Sequence, residues 1–252
     1  MKILHTVQRY APDTGGSEEV VRQLSERLVS SGHDVTVATG TSDARDYTEL
    51  NGVKIVQFAC SGNAVEGLRG DIDAYRGFIR NERFDVMMNY AAQIWSTDLA
   101  FDLLPELNVK RVLVPCGYSR LRDPLFASYF EKMPDTLRLY DRVVYLSENY
   151  IDKEFGDAHG LQNGVVIPNG ADTREFLGAP RGTFRSRHGI GDRLLLLNVS
   201  NHSRLKNHAF FWNVVSGLDA GGVCAVLVAN AYTRGPAKWL KECYASCRFR
   251  SG

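Results

Sequence analysis

The stretch Pro12-Asp13-Thr14-Gly15-Gly16-Ser17-Glu18 holds the residues whose types and spacing best suit chemistry. It joins an apolar run over 3–7 to a helical pattern that opens near Ser17. Glycines at such a junction let backbone N–H groups approach a phosphate or a sugar hydroxyl, and the helix end favours negative charge. A flexible turn with Ser17 as helix cap accounts for the same residues, and a Gly-Gly pair alone does not separate the two. One competitor is disfavoured. A dinucleotide site calls for Gly-x-Gly-x-x-Gly directly after the first strand, whereas Val7 is followed by Gln8-Arg9-Tyr10-Ala11-Pro12 before any glycine.

Other chemistries find less support. Cys60, Cys116, Cys224, Cys243 and Cys247 are odd in number and scattered, which suits a reducing cytoplasm and small buried hydrophobes. Cys243 and Cys247 stand four apart without a second Cys or His pair at zinc spacing, so no metal site is expected. Thirty Lys plus Arg against 29 Asp plus Glu give a formal charge of +1, which excludes a global basic field for nucleic acid. With 44% hydrophobic and 23% charged residues, the 252-residue chain reads as folded and globular. Neither a secretory leader nor a run of about 20 apolar residues is seen, so a cytoplasmic protein is expected; contact with a membrane surface stays compatible.

The elements that position the glycine loop follow an α/β alternation. Strands are predicted over 3–7, 34–39, 53–58, 85–90, 111–116, 142–147 and 165–167. Helices are predicted from Ser17 to a stop at Gly32, then over 68–80, 94–104, 124–133 and 148–159. Val20, Val21, Leu24 and Leu28 form the apolar face of the first helix. This pattern predicts a Rossmann-like parallel sheet with helices on both faces, and ligands bind beyond the carboxyl ends of such strands. The loops after Val7, Tyr90, Cys116 and Ser147 are therefore the places to look. A Pro- and Gly-rich break follows. Past it, strands over 194–200 and 223–229 and helices over 207–218 and 235–247 are too few to close a second doubly wound domain.

The sequence resembles the family 4 glycosyltransferases, which share the two-Rossmann-domain GT-B architecture. Pro12 to Glu18 looks like their Pro-x-x-Gly-Gly-(Ser/Ala)-Glu loop, and Gly32-His33-Asp34-Val35 looks like the motif that ends their first long helix. Pro168-Asn169-Gly170-Ala171-Asp172 resembles their hinge segment, followed by a short helix over 173–177. Leu196-Leu197-Asn198-Val199-Ser200 resembles the first donor-domain strand, and His202-Ser203-Arg204-Leu205-Lys206-Asn207-His208 their basic loop. The resemblance implies an acceptor-side domain over 1–167, a hinge over 168–182 and a partial donor-side domain over 183–252.

It also implies roles. Lys206 would contact the donor diphosphate and offset charge on the leaving group, with Arg204 either sharing that task or lying in solvent. Gly15 and Gly16 would lie against the reacting sugar and phosphate, and Asn169 joins them as a substrate-binding residue. Cys116 stands where many relatives carry a His, and either shapes the pocket wall or packs. Arg120 and Arg122 contact a phosphate-bearing acceptor or remain loop charges. The implied activity is retaining transfer from a nucleotide-sugar to a glycan, lipid-linked or small-molecule acceptor in cytoplasmic cell-envelope glycan or glycoconjugate synthesis. No cofactor is expected. The family's Glu-x7-Glu segment has no match after Val228, with Glu242 unsuited to that role. A truncated, non-catalytic acceptor-binding or partner module is therefore the alternative expectation.

Overall fold

The computed structural model describes residues 1–177, 183–200, 206–219 and 221–229. They divide into two compact units, Met1–Gly170 and Ala171–Gly252. In the first unit the strands are β1 (Lys2–Thr6), β2 (Asp34–Gly40), β3 (Glu49–Leu50), β4 (Val53–Phe58), β5 (Cys60–Asn63), β6 (Gly67–Gly70), β7 (Val86–Tyr90), β8 (Lys110–Val114), β9 (Arg142–Tyr145) and β10 (Gly164–Val166). The helices are α1 (Gly16–Ser30), α2 (Ile72–Asn81), α3 (Trp95–Asp98), α4 (Ala127–Arg138) and α5 (Ile151–Ala158).

Eight strands form one sheet in the order β10-β9-β8-β7-β1-β2-β4-β3, parallel except for the short β3–β4 pairing. The chain order therefore runs outward in both directions from β1, except that β3 lies outside β4 at the far edge. Successive strand residues face opposite sides. Ile3, Val35, Met88 and Val114 build one apolar layer with Val21 of α1, while Leu4, Met87, Leu113 and Val143 build the other with residues of α2 to α5.

Three expectations are corrected. Residues 68–70 belong to the β5–β6 hairpin, and the helix starts only at Ile72. Gly67 and Gly70, both at positive φ, suit the hairpin and not a helix interior. The predicted helix over 94–104 is a four-residue α3 followed by a 3-10 turn at Phe101–Glu106, where Pro105 lacks the N–H that a continued helix needs. On α1, Leu24 is 40% exposed while Ser25 is fully buried. Ser25 takes the inward position because it bonds His5 Nδ1 at 2.8 Å and Val21 O at 2.7 Å. Gly32, at φ 85°, ends α1 as expected.

The second unit contains α6 (Thr183–Arg187), β11 (Leu194–Val199), α7 (His208–Ser216) and β12 (Val223–Val228). Strands β11 and β12 pair in parallel with Leu194 opposite Val223, and α7 is the crossover between them. The helix expected over 235–247, with Cys243 and Cys247, lies outside the described residues.

Two buried titratable groups oppose each other in pH dependence. Burial pushes His5 down to about 4. It pushes Asp98 of α3 up to about 6, against the pull of hydrogen bonds from Ala64 N and Tyr129 Oη. The neutral His5 contributes stability above its unfolded value that is lost as pH falls toward 4. The neutral Asp98 contributes stability at low pH that is lost as pH rises through 6. Asp98→Asn removes the second contribution. Urea melts should show the variant losing about 2–3 kcal/mol relative to wild type between pH 7 and pH 4. A constant difference across that range would contradict the assignment.

Candidate functional site

The strand order changes direction between β1 and β7, the point at which loops leaving the carboxyl ends of such sheets part and ligands bind. The loop after β1 carries Gly15 and Gly16, the loop after β7 begins at Ala91, and the loop after β8 carries Cys116 and Arg120. Asn169 follows β10 along the same edge of the sheet.

Left-handed backbone is concentrated at this edge. Ala91 (φ 71°), Gln93 (φ 62°) and Cys116 (φ 60°) adopt it despite having side chains, next to Gly117 at φ 81°. Such residues persist only where their surroundings hold them. Ala91 N donates to Val114 O at 2.8 Å and Ala92 N to Pro115 O at 3.1 Å, which ties the two loops together. Gln93 N donates to Tyr129 Oη, and Tyr129 donates onward to the buried Asp98, which also holds Ala64 of the β5–β6 hairpin. Gly117 N donates to Asp152 Oδ2 at 2.9 Å. Asp152 is fully buried, and that burial raises its pKa against hydrogen bonds from Gly117 and Lys153. Gly117 sits where glycine is favoured: its φ is positive, and a Cβ would come within 2.8 Å of the Tyr150 ring unless that ring moved.

Cys116 packs against the apolar cluster that includes Tyr10, Tyr90 and Val114. Its thiol is pushed up to about 11 by burial, opposed by a hydrogen bond with Tyr90, so it is neutral at physiological pH. Burial likewise raises the Tyr90 hydroxyl, and Cys116 and Asn169 both stand near it. Sequence reasoning missed Tyr90, although its place as the last residue of an apolar strand was a usable signal. Asp98 and Asp152 gave no signal, because their roles depend on partners distant in sequence.

The two glycines of the loop differ. Gly15 is the residue before α1, in extended backbone, and Ser17 does not cap the helix as expected. Ser17 already lies inside α1, and its hydroxyl donates to Glu18 Oε2. The Glu18 side chain folds back over Gly15, buried, with Arg9 Nε 3.0 Å from its other oxygen. A Cβ at Gly15 would collide with that carboxylate, whereas one at Gly16 would meet open space. Gly15 answers an internal demand; Gly16 leaves room outside.

Arg120 is already engaged. It pairs with Glu66 and Asp123 at 2.6 Å each and lies 4.4 Å over the Phe126 ring. That neutralisation leaves little charge for a phosphate and makes Arg120 a strut between the β5–β6 hairpin and the loop after β8. Arg122, next in that loop, is exposed.

In the second unit, Lys206 is exposed and stands just ahead of α7. Asn207 caps that helix from a left-handed conformation, its side chain accepting from Phe210 N. A lysine beside a helix amino end suits an anion. Behind it, Ser200 Oγ donates to Asn198 Oδ1 and lies 2.9 Å from Nε2 of the buried His208. Arg204 lies outside the described residues.

A groove of about 250 Å³ opens elsewhere, at the amino-terminal edge of the first sheet, among Lys2, Asp34, Lys54, Phe78 and Arg83. It is at the wrong end of the strands for the loops above, and its Lys54 is paired with Asp34.

The sequence profile of Glycosyltransferase Family 4 matches residues 14–175, from within the glycine loop to just past Asn169. The chain belongs to Glycosyltransferase Family 4. No curated protein sequence matches it. Solved structures share its fold at low identity. Sucrose-phosphate synthase from Thermosynechococcus elongatus is similar at TM-score 0.72 and 13% identity, over 97% of this chain and 66% of the synthase. HepE from Anabaena, in complex with UDP and glucose, gives 0.69 and 15% over 97% and 65%. A glycosyltransferase from Rickettsia africae gives 0.70 and 15% over 97% and 64%. The chain thus spans just under two thirds of the length of these proteins. They share the GT-B fold of this glycosyltransferase family. No helix among the described residues is long and apolar enough to cross a membrane.

The contrast between the glycines can be measured. Gly15→Ala should cost about 1–3 kcal/mol in urea unfolding by displacing the Glu18 carboxylate, while Gly16→Ala should stay within about 0.5 kcal/mol. Adding Glu18→Ala to Gly15→Ala should relieve most of the clash. Strict additivity of the two would show that they do not meet.

Proposed function

We propose that this family member moves a sugar, with retention, from a nucleotide-sugar to a glycan, lipid-linked or small-molecule acceptor. The reading places the work at the cytoplasmic side, in cell-envelope glycan or glycoconjugate synthesis, with contact at the inner membrane face where the acceptor is lipid-linked. One observation carries it: the family match begins in the glycine loop and ends beyond Asn169, so it encloses Gly15, Gly16, Tyr90, Cys116 and Asn169.

In this reading Gly16, with open space around it, lets the substrate approach the first turn of α1. Cys116 and Asn169 line the same edge near Tyr90. The diphosphate leaves from the face that the acceptor attacks, and its growing negative charge is met by Lys206, by Arg204 and by the amino end of α7. Those cationic groups take the part that a metal ion plays in other transferases, so the reading calls for no resident cofactor. Arg120, held by two carboxylates, is left out of phosphate binding and supports the edge instead.

The complexes of the Anabaena protein with UDP and UDP-glucose make uridine nucleotides the first donors to test. Calorimetric titration with UDP, GDP, their sugars and NADH should show nucleotide-sugar binding. Because Lys206 is exposed, Lys206→Ala should leave the melting temperature in place yet weaken diphosphate binding about 10–100-fold, the worth of one charge-assisted bond. Binding of NADH alone would overturn the proposal. Nucleotide-sugar binding without product in mass spectra would favour a non-catalytic acceptor-binding or partner module.

A further inference from the structure

Arg45 lies in the segment between β2 and β3 and is only 6% exposed. Its guanidinium makes four hydrogen bonds. Nε donates to Ala11 O at 2.6 Å and Nη2 to Tyr10 O at 2.7 Å. Nη1 donates to Gly40 O at 3.0 Å and to Gln57 Oε1 at 2.8 Å. All four acceptors are neutral. Two of them belong to the loop after β1, immediately ahead of Pro12 and the glycines.

A buried cation held only by dipoles is expensive, and a methionine of similar length would fill the space without desolvating a charge. Packing alone therefore does not account for an arginine here. What its planar fork does supply is simultaneous direction of several carbonyls. The Tyr10 carbonyl also accepts from Asp13 N at 3.2 Å, so the turn through Pro12 is built on an oxygen that Arg45 holds. At the base of the loop the Arg9–Glu18 pair closes the other side. The loop is fastened at both ends.

We propose that Arg45 is the positioning residue of the glycine loop, fixing Tyr10 and Ala11 so that Gly15 and Gly16 stand ready before a ligand arrives. The inference rests on the sugar-transfer reading of this loop, and its test separates the two. Hydrogen exchange followed by mass spectrometry on the full chain compares wild type with Arg45→Ala and Arg45→Lys. Amides of residues 13–16 should exchange about tenfold or more faster in Arg45→Ala, with those of β7, β8 and α4 unchanged. Added guanidinium should restore the slow rate in Arg45→Ala, and Arg45→Lys should fall between. Transfer from UDP-glucose should drop in parallel and return with guanidinium.

Unchanged loop exchange overturns the proposal whatever the activity. Faster exchange throughout the unit also overturns it, since Arg45 would then serve general stability. Loop-confined acceleration with unaltered transfer sustains the grip of Arg45 and counts against a part for the glycine loop in the transfer; absence of transfer in the wild type counts against the sugar-transfer reading.

Discussion

A parallel sheet whose strand order runs outward from β1 forces two neighbouring loops to leave in opposite directions. Everything else at the carboxyl edge is a response to that divergence. The loops after β1, β7 and β8 have no regular ladder to hold them, yet their backbone polar groups must be matched. They are held by side chains from elsewhere: Arg45 from the segment after β2, Tyr129 from α4, Asp152 from α5. The three left-handed residues other than glycine at this edge are held in the same way, each within a bond or two of a buried polar group.

The edge thereby has two kinds of residue. Gly15, Gly117, Arg120 and Asp98 satisfy one another or their neighbours inside the fold. Gly16, Asn169 and the Cys116–Tyr90 pair border it without being consumed by it. Residue type does not distinguish these groups, since a glycine and a polar or charged residue appear in each. Partner geometry does.

That distinction explains what the sequence could and could not yield. Strands β1, β2, β4, β7, β8 and β9 were legible because each is a short apolar run bounded by polar residues, and Gly32 marked the end of α1 plainly. The β5–β6 hairpin was not, because Cys60-Ser61-Gly62-Asn63 lacks apolar alternation and its glycines mimic a loop. Leu24 misled because helical spacing predicts a face from hydrophobicity alone, while the buried His5 required a hydroxyl opposite and drew Ser25 inward. The glycine loop was visible from its residue types and spacing and took its role, as did the hinge motif, from family resemblance. Arg45, Tyr90 and Asp152 were not, for their meaning lies in hydrogen-bond partners up to 35 positions away or in neighbouring strands. Arg120 shows the same limit from the other side: the pairing of this loop cation with a carboxylate 54 residues off is not visible in its local sequence.

The central place of β1 has a consequence for biogenesis. Lys2–Thr6 leaves the ribosome before the other strands of this sheet, but its second neighbour, Val86–Tyr90, follows only after some eighty further residues. Until then β1 can pair with β2 alone, and one of its edges stays open to any extended chain nearby. The carboxyl edge cannot assemble in that interval, since Tyr90, Cys116 and Asp152 have yet to be made. The carboxyl edge is thus among the last parts of a nascent first unit to be completed, and a stall before residue 90 would leave the glycine loop without the strand beside it.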